Sequence, residues 1–233
     1  MKRKLLVVAV LLACTFALAQ GKGSGNAALE KVLTQMDTAA AGFRTAQATF
    51  AWDQYTKVVD EHDFQKGTIY FRRTQKETQM AADVREHNGQ PDKKYILYTD
   101  SSIQVFQPNI DQITKYSVGK NKSEVESFLV LGFGGRGHDL AKSFDVKFAG
   151  NDKVDGVETA KLELTPKAAS VRNNFNRIIL WVDPAHGVSI QQQFFSPSGD
   201  YRLTKYTNIK INEKISDEAF RIKKGPNTKV VTP

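Results

Sequence analysis

Four histidines, one cysteine and a glycine cluster are the residues of this chain with the most obvious chemistry to offer. His62, His87, His138 and His186 each sit alone near turn residues. None belongs to H-E-x-x-H or to an i,i+4 pair, the spacing that sets two metal ligands on one helix face. Glu61-His62-Asp63 is the one tight acid–histidine cluster. Adjacent side chains do not face one another on a regular element, so it reads as solvated charge in a hairpin and not as a metal site. Gly132-Phe133-Gly134-Gly135-Arg136-Gly137 spells G-x-G-x-x-G, but a dinucleotide site needs a strand before it, a helix after it and an acid about 20 residues on. Here Phe144 to Phe148 follows as a half-exposed alternating strand. The glycines read better as a mobile hinge or lid loop, because glycine releases backbone constraints where a flap must move. Ser196-Pro197-Ser198-Gly199-Asp200 lacks the G-x-S-x-G elbow and reads as a turn. No catalytic residue, metal or cofactor is assigned, and an enzyme is not expected.

The elements around these residues begin with an export signal. Lys2-Arg3-Lys4, the apolar run Leu5–Leu18 and Ala17-Leu18-Ala19 form a basic region, an apolar region and an A-x-A-like cleavage site. Residues 1–19 are therefore expected to be a signal peptide, with Gln20 as the first mature residue and the periplasm as destination. Leu11-Leu12-Ala13-Cys14 offers the alternative of a lipid anchor at Cys14, against which Thr15 to Ala19 continue the apolar run. Cys14 is the only cysteine, so its removal leaves no disulfide, thiol nucleophile or cysteine–zinc site. Losing Lys2, Arg3 and Lys4 lowers the basic count from 33 to 30, against 25 acids. The bases are dispersed, without an arginine-rich tract, which excludes nucleic acid as the expected partner.

Residues 20–26 read as a flexible leader. Leu29, Val32, Leu33, Met36, Ala40 and Phe43 then recur at helical spacing and predict a helix over about residues 27–41, with Asn26 as its cap. From Thr45 the period changes to two. Turn signals at Asn88-Gly89, Asp100-Ser101, Asp155-Gly156, Asp183–Gly187 and Ser196–Gly199 separate strands of similar length. The pattern predicts an α+β fold: an unclosed antiparallel β-barrel of about eleven strands with a helical lid, in one domain spanning 27–233. The stretches 124–131 and 138–143 read as helical insertions.

Period two assigns the concave face, on which bulk apolar surface is the remaining candidate for function. Phe50, Trp52, Ile69, Phe71, Met80, Leu162, Leu164, Leu180 and Val182 are the candidate lining of an apolar cavity. Phe128, Leu129 and Leu131, beside Gly134 and Gly135, are the candidate lid.

The order of these segments resembles LolA-like periplasmic carriers of outer-membrane lipoproteins. The likeness rests on Ala46-Gln47-Ala48-Thr49-Phe50, Lys66-Gly67-Thr68-Ile69-Tyr70-Phe71-Arg72-Arg73, Gln107-Pro108, Gln112-Ile113-Thr114 and Glu126 to Gly135. It continues through Leu162-Glu163-Leu164-Thr165-Pro166-Lys167, Leu180-Trp181-Val182-Asp183-Pro184, Ser198-Gly199-Asp200 and Asn208-Ile209-Lys210-Ile211-Asn212. The resemblance implies a monomer that shelters lipoprotein acyl chains, or other lipids, between an inner-membrane donor complex and an outer-membrane acceptor. The same barrel could instead serve a lipid-sensing interaction module. The family's segment after the second strand carries an arginine that latches the lid. Its counterpart here, Thr74 to Ala81, contains no arginine, so on this reading the latch has no match.

Overall fold

The structure is a computed structural model, and it describes residues 21–99, 102–119, 128 and 131–233. The expected signal peptide, Cys14, Gln20, the Asp100-Ser101 turn and Leu129 lie outside the described residues. Helix α1 spans Gly21–Gly42. The segment expected as a flexible leader is therefore helical from Gly21 onward, and Asn26 lies inside the helix instead of capping it. The start is set by propagation: once the packed face from Leu29 to Phe43 nucleates the helix, each further residue adds a hydrogen bond without a new nucleation cost. Among the described residues no helix is long and apolar enough to cross a membrane.

Among the described residues, twelve strands follow in one sheet. The first meander consists of β1 (Thr45–Thr56), β2 (Glu61–Arg73), β3 (Thr78–His87), β4 (Gln90–Thr99), β5 (Ser102–Gln107) and β6 (Gln112–Ser117). Helix α2 (Gly137–Ser143) leads into the second meander: β7 (Phe144–Val154), β8 (Val157–Pro166), β9 (Arg177–Asp183), β10 (Val188–Phe195) and β11 (Tyr201–Ile211), with the short helix α3 (Ala169–Arg172) between β8 and β9. The twelfth strand, β12 (Lys229–Val231), has no counterpart in the expected eleven and runs parallel to β6. Antiparallel pairing of β1 with β11 joins the meanders, giving the order β12-β6-β5-β4-β3-β2-β1-β11-β10-β9-β8-β7. The sheet is unclosed, with β12 and β7 at its edges. The connection from β6 to β7 must therefore cross from one side of the opening to the other.

Local sequence explains the meander. Asn88-Gly89 and Asp155-Gly156 take left-handed backbone at both positions, the geometry that matches strand twist in a two-residue hairpin. Strand β9 departs from simple alternation. Its concave residues Ile178, Leu180 and Val182 are buried, but Ile179 and Trp181 are buried too, with Val154 and Ile190 on the outer face. The Trp181 indole N–H donates to Asp152 at 2.9 Å.

Candidate functional site

Two apolar clusters occupy the concave face. One gathers Val32, Leu33 and Met36 of α1 with Leu140, Phe144, Leu162, Leu164, Ile178, Leu180, Val182 and Phe194. The other gathers Phe43 with Ala46, Ala48, Phe50, Ile69, Phe71, Ala82, Val84 and Tyr206. The expected lining residues divide between them. Leu162, Leu164, Leu180 and Val182 fall in the first cluster. Phe50, Ile69 and Phe71 fall in the second, with Trp52 and Met80 packed against it. The seven clustered residues are fully packed in this closed form, so they floor the interior and do not line an empty space.

The loop 131–134 closes over both clusters. Leu131 belongs to the first, and Phe128 packs against it edge-to-face on Phe144. Phe133 belongs to the second and is 0 % exposed. Its ring stacks on Phe71 with centroids 4.9 Å apart and meets Tyr206 edge-on at 4.9 Å. A loop residue thus plugs the sheet's concavity. Sequence reasoning named its neighbours and passed over Phe133, because it was read as a letter of the glycine motif. An aromatic residue between two glycines, in a chain whose apolar residues otherwise sit on periodic elements, was the available signal.

The glycines correct the hinge reading. Gly132 has φ +83° and Gly134 has φ +76°. A Cβ at Gly132 would lie 2.3 Å from Ser189 Cβ, and one at Gly134 would lie 2.3 Å from the Phe43 ring. These residues are required by left-handed backbone and close approach, and they seat the loop tightly. The loop's backbone is also bonded down. Ser189 N–H donates to Gly132 O at 2.9 Å. The Gln192 amide donates to Leu131 O at 2.5 Å, and its carbonyl accepts from the Tyr206 hydroxyl at 3.4 Å.

An arginine ties this loop to the N-terminal helix. Arg73, the last residue of β2, donates through Nη1 to Ala40 O of α1 at 2.8 Å and through Nη2 to Gly134 O. Its guanidinium also lies 5.3 Å from the Phe43 ring centroid. The family resemblance points to the stretch Thr74–Ala81 for a lid-holding arginine; Arg73, at the strand end, lies one position before it. Beside this arginine opens a cleft of about 650 Å³, lined by Asp37, Ala40, Arg73, Thr78, Gly134, Gly135, Arg136, Asp139 and Phe144 among others. Of the candidate residues, only Gly134 and Gly135 reach it.

The histidines are not alone. His62 pairs with Asp53 at 2.7 Å, His87 with Asp63 at 2.5 Å, His138 with Asp37 at 2.6 Å and His186 with Asp183 at 2.6 Å. His62 and Asp63 take different partners, as opposite faces of β2 require. His138 is also within 3.1 Å of Glu30, so it clasps α2 to α1. The Glu30 and Asp37 hydrogen bonds hold its imidazole above the usual histidine value. Among the described residues no group of three or more His, Cys, Asp or Glu is placed to hold a metal ion.

The family described as "Outer membrane lipoprotein carrier protein LolA" matches residues 41–223. A comparison with curated proteins finds no match. Among solved structures, an uncharacterized conserved protein from Thermus thermophilus is similar at TM-score 0.55 and 11% identity, over 88% of this chain and 98% of that one. MucB is similar at 0.52 and 14%, over 88% and 66% respectively. The Mycobacterium tuberculosis lipoprotein LppX is similar at 0.51 and 13%, over 82% and 98%. At these identities the likeness establishes the fold.

Proposed function

The chain belongs to the LolA family, whose members bind or carry lipids or lipoproteins in the cell envelope, and on that premise we propose that it is an exported carrier of acyl chains. In this reading residues 1–19 are removed and the mature domain works in the periplasm. It takes acyl chains of lipoproteins or lipids from a donor at the inner membrane and delivers them towards the outer membrane. The observation that carries the reading is the plug: Leu131 and Phe133, which belong to a loop and not to the sheet, are buried in the two apolar clusters of the concave face. An acyl chain can replace them without unfolding a strand.

Magnitudes favour the exchange. Burial of Leu131 and Phe133 stabilises the closed form by about 3–6 kcal/mol together. The charge-assisted bond from Arg73 to Gly134 O adds roughly 1.5–3 kcal/mol. A buried methylene returns about 0.8 kcal/mol, so six to eleven of them, roughly, offset both. One ordinary acyl chain suffices, and the residual affinity is modest enough for release.

The two tryptophans supply the test. Trp52 is on the concave face against the second cluster, whereas Trp181 packs on the outer face. In Trp181→Phe protein, a fatty acid brominated along its chain should quench the remaining Trp52 emission by contact. In Trp52→Phe protein it should leave Trp181 emission unchanged. Equal quenching of both, or none of Trp52, rejects an interior acyl site.

A further inference from the structure

We propose that the interior selects amphiphiles with an oxyanionic head, a carboxylate or a phosphate, and that Arg202 receives that head; this rests on the carrier reading and names its cargo class. Arg202 lies on β11, and strand register puts it in one row with Phe194 of β10, Gln54 of β1 and Asp63 of β2. Alternation sets this row on the concave face, the face of Thr204 and Tyr206, both buried. The guanidinium lies between the two apolar clusters, 5.5 Å from the Phe194 ring centroid and 5.6 Å from that of Trp52.

Among the described residues the guanidinium has no anionic partner. Its Nε is fully enclosed and has no hydrogen-bond partner. Among the described residues Arg202 forms no ion pair. The carboxylates of neighbouring strands are committed elsewhere. Asp63 accepts from Gln65 at 3.1 Å and pairs with His87, Asp53 pairs with His62, and Asp200 accepts from Ser198 and from the Lys57 backbone. Burial holds the Arg202 guanidinium below its ordinary value, a desolvation cost that an anionic partner would offset. The two rings satisfy the faces of the cation, whereas its in-plane N–H fork fits the two oxygens of a carboxylate or phosphate.

A single-chain amphiphile fits this placement. Its chain would lie among the apolar residues that the plug now covers, and its head would meet Arg202 at the junction of the clusters. A neutral head, such as an alcohol, an ester or the acylated end of a lipoprotein, leaves Arg202 unpaired.

The experiment compares one fluorescent acyl chain carried as a carboxylate and as its methyl ester. The wild type should bind the carboxylate about ten- to a hundred-fold more tightly, the range expected for one charge-assisted contact. Arg202→Met should remove that preference while keeping ester binding and a melting temperature no lower than wild type, since a half-buried charge whose Nε is unpartnered has been deleted. Arg202→Lys should retain part of the preference. Displacement by palmitate and by a lysophosphatidic acid, each below its micellar concentration, separates the carboxylate source from the phosphate source. Equal binding of both probes to wild type overturns the proposal and leaves the carrier reading standing. So does a carboxylate preference that survives in Arg202→Met. If neither probe binds, the carrier reading itself fails. A large loss of stability in both variants also overturns the proposal, since Arg202 is then a structural residue.

Discussion

Replacing Phe133 by alanine isolates the plug from everything else in the loop. The side chain is 0 % exposed, stacked on Phe71 and edge-on to Tyr206. In an ordinary core site, the truncation costs about 3–5 kcal/mol of stability, part of it for the cavity left behind. In a carrier, the same ring is the competitor that cargo must displace. The apolar transfer share alone, about 1.5–3 kcal/mol, is opening work that the variant no longer performs. Affinity for a fatty-acyl probe should therefore rise about ten- to a hundred-fold, while urea unfolding shows a less stable empty protein. Adding probe should recover more stability in the variant than in wild type, because tighter binding to the native state shifts unfolding further. The two measurements together separate plug from core. A variant that is destabilised yet binds no more tightly would refute the displacement argument, since the ring would then be competing with nothing.

Three further outcomes follow from the same geometry. Gly134→Ala places a methyl group 2.3 Å from the Phe43 ring at φ +76°. It should destabilise by about 1–3 kcal/mol, read from the urea midpoint, and an unchanged midpoint would show that the loop is not seated as described. His138 has a raised folded value because Glu30 and Asp37 accept from it, with Arg136 the facing cation at 3.9 Å from Asp37. Its clasp is fully present below about pH 6.5 and is lost as the pH rises through that raised value. Stability should fall over that interval in wild type, and His138→Gln should flatten the profile. N-terminal sequencing of the exported protein should begin at Gln20; a diacylated Cys14 in the membrane pellet would replace the shuttle with an anchored receptor.

Much of the architecture was legible in the sequence because it is encoded locally. Period two from Thr45 onward gave the concave faces of β1, β2, β8 and β9, and Asn-Gly and Asp-Gly pairs gave two of the turns. What escaped was encoded by distance. Asp37 and His138 are 101 residues apart, and Arg73 meets Gly134 across 61, so no window along the chain contains either pair. The outer burial of Ile179 and Trp181 escaped for another reason: alternation assumes that one face is wet, and here Val154, Ile190 and their neighbours on adjacent strands pack with these two residues on that face. Arg202 reads in sequence as one more dispersed base. Only its register opposite Gln54 and beside Phe194 shows that this cation faces inward.

The crossing from β6 to β7 gives the loop a mechanical role. Its Leu131 is embedded in a cluster built mainly from α1 and the second meander, and its Phe133 in one built mainly from the first. The loop braces two halves that also meet through the β1–β11 pairing, through α1, which Arg73 holds to β2, and through Tyr206 in the second cluster. Under the proposed exchange, withdrawing the loop removes one of these links, and loading should then be read far from the interior, as faster amide exchange along β1 and β11.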